Sequence, residues 1–314
     1  MNEIIIQAEN LTKRYGDLTA VNNLSLEIFS GEVFGLLGPN GAGKTTSINM
    51  IVGLLKPDGG HVTIHGERVE NDPSSVHSRV GVCPQESVLW NKLTCLEQLQ
   101  FIGEMYGMKG QDARRRGKEL LDILELSDKE NKRASTLSGG MRRRLNLAMS
   151  LVHDPEILVL DEPEAGLDPQ GRVLVREYIM SLAREKTIIL TTHNMDEADR
   201  VSDRVAIIDF GKLLVVDTPE ALKASVGAGD VVEINLEGQN GTEAIQKALA
   251  LHKERVSIEI TGNTLILRAL DIVQLLPALM ESLELAGLLP GEIRLRENTL
   301  EDVFIQLTGR RLRE

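Results

Sequence analysis

The sequence lacks long apolar runs and a recognisable secretion signal. Its longer apolar stretches, such as Ile157–Leu160 and Val205–Ile208, fall far short of the ~20 residues that a membrane-spanning helix needs. The first residues, Met1–Ile6, have neither the basic segment nor the longer apolar core of a secretion signal. We therefore expect a cytosolic chain. With 314 residues, of which 42% are hydrophobic, it can bury one large domain and a smaller one.

The sequence is also poor in cysteine and in positive charge. Cys83 and Cys95 are the only cysteines, which excludes a disulfide framework or a zinc site and predicts two reduced structural thiols. The net charge of -12 and the isoelectric point near 5.1 disfavour general attraction to nucleic acid or anionic lipid. The charge therefore favours a protein or a small molecule as partner.

A phosphate-binding loop is the feature around which the rest is organised. The run Gly38–Thr46 fits the pattern G-x-x-x-x-G-K-[ST], with strand-like Val33–Leu37 before it and a helical apolar spacing in Thr46–Leu55 after it. Glycines let backbone N–H groups face inward at a helix N-terminus, where they bind phosphate. The expected contacts are Gly38, Asn40, Gly41, Ala42, Gly43, Lys44, Thr45 and Thr46.

The residue types in this loop predict a nucleotide triphosphate as ligand. Lys44 can reach the outer phosphates, and the Thr45 hydroxyl can ligate a Mg²⁺ held between them. The alternative is a chance match in a glycine-containing turn. The loop alone leaves kinases, GTPases and ATPases open.

Two carboxylates follow a second strand-like run. Ile157–Leu160 predicts a buried strand of a parallel sheet, which delivers Asp161 and Glu162 at its carboxyl end. Asp161 can hold the Mg²⁺ shell, and Glu162 can polarise an attacking water. His193 directly follows the strand-like run Thr187–Thr192. It either senses the terminal phosphate or is structural.

Two further features leave alternatives open. Ser138, Gly139 and Gly140 precede a helical run, so they form a second anion-binding N-terminus or an ordinary capped helix. We expect Arg142–Arg144 in that helix to be solvated or ion-paired. Tyr15 either packs at a sheet edge or stacks on a base.

With these pieces in order, residues 1 to about 228 resemble the ATPase subunits of ATP-binding cassette (ABC) transporters. Gly38–Thr46 is similar to Walker A, Leu137–Met141 to the ABC signature and Leu160–Pro163 to Walker B. The remaining matches are Gln85 with the Q-loop glutamine, Ala165–Asp168 with the D-loop, His193 with the switch histidine and Tyr15 with the adenine-stacking aromatic.

The resemblance implies an α/β fold: a P-loop NTPase ABC cassette with a mixed sheet and an α-helical subdomain at about 86–155. It implies catalytic roles for Glu162, His193 and Gln85, and Mg²⁺ ligation by Thr45, Gln85 and Asp161. Ser138–Gly140 and Asp168 would contact ATP across a dimer, because in this family the signature of one subunit closes over the nucleotide of another. The expected partners are a second cassette and a separate membrane permease at the cytoplasmic face, and no nucleic acid.

Two residues depart from the family pattern. Met141 stands where glutamine is commonest, and Glu164 where a small or hydroxyl residue is often found. Since Ser138 and the glycine backbone would contact phosphate, Met141 casts little doubt on catalysis. Glu162 is intact, which favours hydrolysis.

Residues 230–314 predict a second domain with the order β-α-β-β-α-β and a final helix, typical of a small α+β ferredoxin-like sandwich. In the last helix Leu300, Phe304 and Leu307 form one expected apolar face. The run Thr299–Arg310 resembles the terminal motif of daunorubicin-resistance-like exporter ATPases. We therefore expect a regulatory or dimerising module in an exporter of a drug-like or lipid-like substrate.

Three other functions remain as alternatives. They are an ABC importer ATPase, an ABC ATPase acting on ribosomes or DNA, and a kinase that uses the same loop. The second class usually carries two cassettes or a long coiled coil, and neither is visible in the sequence. A kinase would give Ser138–Gly140 no role.

Overall fold

The computed structural model describes residues 3–71, 73–227, 229–237 and 242–309, which form two units divided between Pro219 and Glu220. In the first unit a four-stranded antiparallel sheet has the order β2-β1-β4-β5. A six-stranded sheet has the order β10-β9-β3-β8-β7-β6. The strands are β1 Ile4–Tyr15, β2 Leu18–Phe29, β3 Val33–Leu37, β4 Gly59–Ile64, β5 Glu67–Arg68, β6 Val80–Cys83, β7 Ile157–Asp161, β8 Thr187–Thr192, β9 Arg204–Asp209 and β10 Lys212–Asp217.

The helices of this unit alternate along the chain with groups of its strands. They are α1 Lys44–Ile51, α2 Pro73–Arg79, α3 Cys95–Met105, α4 Gly110–Ile123, α5 Gly139–Leu151, α6 Pro169–Leu182, α7 Met195–Val201 and α8 Pro219–Ser225, which crosses the division. In the described residues no helix is both long and apolar enough to cross a membrane.

The centre of the larger sheet fixes where the loops meet. Every residue of β3, β7 and β8 is buried, as expected for parallel strands covered on both faces. Leu37 pairs with Thr192, and Asp161 pairs with Thr191. The carboxyl ends of β3, β8 and β7 therefore lie side by side, and the residues that follow them share one edge.

The helical subdomain expected at about 86–155 contains α3, α4 and α5. Thr94 caps α3 through a reciprocal pair of hydrogen bonds with Glu97. Leu99, Leu120 and Leu145 are fully buried in one apolar cluster that also contains Leu160 of β7. These helices therefore share a core with β7.

The boundaries of α1 differ from the expected ones. Helix α1 starts at Lys44 rather than Thr46 and ends at Ile51, because Gly53 adopts a left-handed φ of 74° that no helix continues. Strand β4 ends at Ile64, and His65 lies in the following turn with φ 52°. Its Nε2 is 2.9 Å from Glu156 Oε1.

The second unit contains an antiparallel sheet with the order β12-β13-β11-β14. Its strands are β11 Asp230–Glu237, β12 Ser257–Thr261, β13 Thr264–Ala269 and β14 Leu289–Arg296, and its helices are α9 Thr242–Ala248, α10 Ile272–Leu285 and α11 Leu300–Thr308. Val232, Leu267 and Leu279 lie at the centre of its apolar core.

The last helix buries two of the three residues of the expected apolar face. Leu300, Val303 and Phe304 are buried, whereas Leu307 is 45% exposed. The buried positions follow the i, i+3, i+4 spacing of one helical face. Leu307 continues that face at i+7 from Leu300, but it lies in the last turn and is only partly covered.

Candidate nucleotide-binding and hydrolysis site

The loop between β3 and α1 is curled as the glycine pattern predicts. Gly41 and Gly43 have left-handed φ values of 80° and 100°. A Cβ on Gly43 would meet the Ala20 carbonyl oxygen at 2.5 Å, and one on Gly38 would meet the Ile208 carbonyl oxygen at 2.3 Å. These backbone positions therefore require glycine.

Lys44 lies inside this loop. Its Nζ donates hydrogen bonds to the carbonyl oxygens of Gly38 at 2.8 Å and Pro39 at 3.2 Å. The ammonium is also 3.9 Å from Glu162 Oε1. Burial lowers the pKa of Lys44, and the carboxylates of Glu162 and Asp161 oppose that effect. The Lys44 ammonium therefore lies at the N-terminus of α1 and is bound by carbonyl oxygens that phosphate oxygens can replace.

Thr45 and Asp161 form a hydroxyl and carboxylate pair beside the lysine. The Thr45 hydroxyl donates to Asp161 Oδ2 at 2.9 Å, and the Thr191 hydroxyl donates to the other carboxylate oxygen, Oδ1. Hydroxyl and carboxylate oxygens are hard ligands of the kind that Mg²⁺ prefers. The Gln85 Nε2 donates to Glu162 Oε2 at 3.1 Å.

Glu162 occupies the centre of the site in an unusual backbone conformation. Its φ is 51°, a left-handed value that is costly for a residue with a Cβ. Its N–H donates to the carbonyl and the hydroxyl oxygens of Thr191, each at 3.1 Å. Its Oε1 is 2.8 Å from His193 Nδ1. The carboxylate is thus aimed between His193 and Gln85.

A cleft of about 560 Å³ adjoins these groups. Tyr15, half exposed on its rim, is available to a flat ring. The expected site residues that line the cleft are Tyr15, Asn40, Gly41, Gly43, Lys44, Thr45, Thr46, Gln85 and Glu162. Gly38 and the buried Ala42 support the loop from beneath, through the Lys44 hydrogen bond and the Gly211 N–H donated to the Ala42 carbonyl.

The predicted second anion site lies apart from this cleft in the described chain. Ser138 caps α5, and its Oγ accepts the Met141 N–H at 3.3 Å. Asp168 caps α6 by accepting the Gly171 N–H at 2.8 Å. Neither these residues nor Gly139 and Gly140 are among the residues that line the cleft. Within one chain they act as helix caps.

Arg143 is a residue that the sequence reasoning missed. It is buried and donates to backbone carbonyls rather than being solvated or ion-paired. Its guanidinium reaches Gln85 O at 2.9 Å and Glu162 O at 2.8 Å, as well as the carbonyls of Pro84, Asp161 and Pro163. One side chain therefore ties α5 to both segments that carry Gln85 and Glu162. Its place on the same helical face as Leu147 was the available signal.

Comparison with known proteins places this geometry in a family. The model of the ABC transporter family matches residues 21–165. The chain is 42% identical over 312 residues to the "Nod factor export ATP-binding protein I" of Ralstonia nicotianae, covering 99% of this chain and 95% of the relative. The chain belongs to the ABC transporter family. It is an ATP-binding subunit and an ATP hydrolase of that family.

Other ABC relatives also match along their whole length. The "Linearmycin resistance ATP-binding protein LnrL" of Bacillus subtilis is 34% identical, with 99% of this chain and 100% of the relative covered. The "Daunorubicin resistance ATP-binding protein DrrA3" of Streptomyces coeruleorubidus is 37% identical, with 100% and 99% covered. The similarity to the ABC family thus extends through both units.

Solved ABC cassettes share the fold of the first unit. A dimeric bacterial ABC transporter cassette matches with a TM-score of 0.64 and 29% identity, over 68% of this chain and 98% of the cassette. A post-hydrolysis dimeric cassette bound to ADP and phosphate matches with a TM-score of 0.63 and 28% identity, over 68% and 98%. The expected cassette fold is confirmed. ABC cassettes dimerise and work with membrane permeases.

Proposed function

We propose that this chain is the ATPase subunit of an exporter and that it drives a separate membrane permease. The observation that carries the proposal is the position of Glu162. Its carboxylate is held by His193 and Gln85, 3.9 Å from the Lys44 ammonium. A base next to a phosphate-binding cation is the arrangement that hydrolysis of a nucleotide triphosphate requires.

Each residue of the site has a role in this proposal. Lys44 and the loop amides bind the phosphates, Tyr15 stacks on the base, and Glu162 accepts a proton from the attacking water. His193 contacts the terminal phosphate and orients Glu162. A bound Mg²⁺ would neutralise phosphate charge, and Thr45 and Asp161 fit it.

Gln85 would complete the Mg²⁺ site after turning from Glu162. Among the described residues, no group of three or more His, Cys, Asp or Glu side chains is placed to hold a metal. The remaining Mg²⁺ ligands would therefore come from nucleotide and water, as is usual for this ion.

Export is supported by the relatives that match over the full length. Their names refer to Nod factor export and to linearmycin and daunorubicin resistance. A drug-like or lipid-like substrate therefore fits this chain better than an imported nutrient. The same names give no support to an action on ribosomes or DNA.

An apolar groove supports a permease as the partner. A cavity of about 650 Å³ extends from Thr45, Gln85 and Asp161 to the helical segment. Val88, 62% exposed, and Trp90, 39% exposed, lie along it. Such a patch would bury apolar side chains of a partner close to Gln85. Through it the protein would attach peripherally to the cytoplasmic face of the membrane.

A dimer would complete the nucleotide site. Ser138, Gly139, Gly140 and Asp168 would reach ATP from the second copy, because the cleft of one chain is lined without them. The N-terminus of α5 would then supply its free N–H groups to the phosphates of the opposite subunit.

The two proposed domains follow one another along the chain and have different roles. Residues 1–228 would form the ATP-binding domain, with the helical subdomain at about 86–155. Residues 230–314 would form a ferredoxin-like regulatory or dimerising domain, and the order β12-β13-β11-β14 suits that fold. Every proposed catalytic residue precedes this segment.

The experiment that tests the proposal is ATP hydrolysis by the purified chain with and without Mg²⁺. Glu162→Gln should bind ATP but turn over at least ~100-fold more slowly, the scale of a lost general base. Glu185→Gln, at an exposed site, is the matched control and should leave turnover unchanged. Near-normal steady-state turnover by Glu162→Gln would exclude the assigned role.

A further inference from the structure

The turn that carries His193 is tied to a buried carboxylate on the next helix. The Thr192 hydroxyl donates to Glu197 Oε2 at 2.5 Å and accepts the Asn194 N–H at 2.9 Å. The Glu197 N–H donates to Asn194 Oδ1 at 3.2 Å. Both neighbours of His193 in the chain are therefore connected to Glu197, which is 7% exposed.

Glu164 is a second acidic residue whose charge acts on Glu197. It is also the residue that departs from the family pattern. Glu164, 8% exposed, binds Arg176 of α6 through two hydrogen bonds. Arg176 Nε is 2.8 Å from Oε1, and its Nη2 is 2.7 Å from Oε2. This ion pair accounts for an acidic residue at a position where the family often has a small one.

The groups around Glu197 set its protonation near neutrality. Burial raises the pKa of Glu197 to about 7, while the Thr192 hydroxyl opposes the rise. The charges of Glu164 and Glu162 also raise that pKa, and the Arg176 guanidinium lowers it. Near neutral pH, small changes in these neighbours therefore change the fraction of Glu197 that is ionised.

We propose that Glu197 is a positioning residue for hydrolysis, which holds His193 against Glu162 through the Thr192 hydroxyl. The inference rests on the proposed role of His193. Neither Glu197 nor Thr192 is among the described residues lining the nucleotide cleft. Their effect is therefore on the turnover step rather than on nucleotide binding.

The direction of the pH dependence follows from the hydrogen bond. Ionised Glu197 accepts strongly from Thr192, whereas protonated Glu197 is a weaker acceptor. The turn that holds His193 therefore loosens as the pH falls through about 7, and turnover falls with it. Well above that pH Glu197 is ionised, and its hydrogen bond with Thr192 is at full strength.

The first experiment separates kcat from KM in the full-length protein. Thr192→Val removes the hydroxyl at nearly constant shape and should lower kcat about 10-fold, as expected for a lost hydrogen bond to a charged group. KM for ATP should stay within about 2-fold. Thr192→Ser restores the hydroxyl and should restore kcat. A Thr192→Val protein with wild-type kcat would overturn the proposal.

The second experiment is the pH profile of kcat. Glu197→Gln keeps an acceptor but cannot ionise, so at pH 8 it should turn over as slowly as the wild type does at about pH 6, with no further decline caused by Glu197. Glu164→Gln removes a like charge, so the acid limb should move to lower pH. If the pH profile of kcat for Glu197→Gln declined in acid just as that of the wild type does, the positioning role of Glu197 would be wrong.

His193→Ala distinguishes a failure of this inference from a failure of the proposed site. If His193→Ala is inactive while Glu197→Gln is normal, the positioning role is wrong and the role of His193 stands. If His193→Ala is fully active, the role of His193 itself is wrong. Thermal unfolding of each variant identifies a loss caused by misfolding.

Discussion

At the scale of single residues, Arg143 shows how a buried cation supports a site without touching a ligand. The guanidinium has five N–H donors in a fixed fork, and here they meet backbone carbonyls on the segments that carry Gln85 and Glu162. Arg143 therefore fixes the distance between α5 and the end of β7.

Arg143→Lys should destabilise the protein and slow hydrolysis. A lysine keeps the charge but cannot reach several carbonyls at once, so the expected loss in the free energy of unfolding is about 2–4 kcal/mol. Urea unfolding and steady-state ATPase measurements check this. Arg142→Lys, in the same helix but only partly buried, is the control and should change neither quantity appreciably. Equal stability of the two variants would contradict the assigned role.

The sequence predicts residues of the site where chemistry and spacing coincide. Lys44, Thr45, Asp161 and Glu162 lie at strand ends that adjacent parallel strands must bring together. Arg143 could not be found in the same way, because its role depends on carbonyl groups of distant segments. A run of three arginines in an acidic chain looks solvated.

At the scale of elements, α11 begins with a charged cap. Asp302 accepts hydrogen bonds from the Thr299 N–H at 2.8 Å and from two guanidinium nitrogens of Arg296 at 2.6 and 2.9 Å. Burial alone would raise the pKa of Asp302, but the bonds from Arg296 and Thr299 outweigh it and lower that pKa. The ionised cap therefore stabilises the second unit.

Asp302→Asn should destabilise the second unit at neutral pH by about 1–3 kcal/mol, because charge-assisted bonds are lost. The folded pKa lies below the ordinary 3.8, so the carboxylate stabilises the fold above that value. The stabilisation is lost as the pH falls through the lower folded pKa. Chemical denaturation should show that the difference in the free energy of unfolding between the wild type and Asp302→Asn is smaller in acid than at pH 7. Glu301→Gln, exposed in the same turn, is the control.

Element types were easier to predict than their ends. The strands β3, β7 and β8 follow from apolar runs. The start of α1 at Lys44 depends on the conformation of the phosphate-binding loop. The exposure of Leu307 depends on how far along α11 its apolar face is covered. Hydrophobic spacing predicts that a face exists, but not which turn of the helix it includes.

At the scale of the whole molecule, the proposed dimer makes a test by mixing possible. A Ser138→Ala chain and a Lys44→Ala chain should each hydrolyse ATP poorly alone. In the mixed dimer, one site receives both defects and the other receives neither, so partial activity should return. The measurement is ATPase activity of co-purified heterodimers. No recovery in a demonstrated heterodimer would argue against a shared site.

The cassette is the part of the molecule that the sequence predicts best, because its motifs appear in order along one unit. For the second unit the sequence predicts a fold and a general role, but no reaction. No phosphate loop or paired carboxylate there indicates a chemistry, so its role depends on surfaces that a single chain does not define.

The left-handed backbone of Glu162 has a consequence for how this protein can change over generations. Glycine adopts that φ without strain, so Glu162→Gly would relieve a local cost while removing the proposed base. Selection for folding alone would therefore accept the loss of hydrolysis at this position, and only selection for transport would resist it.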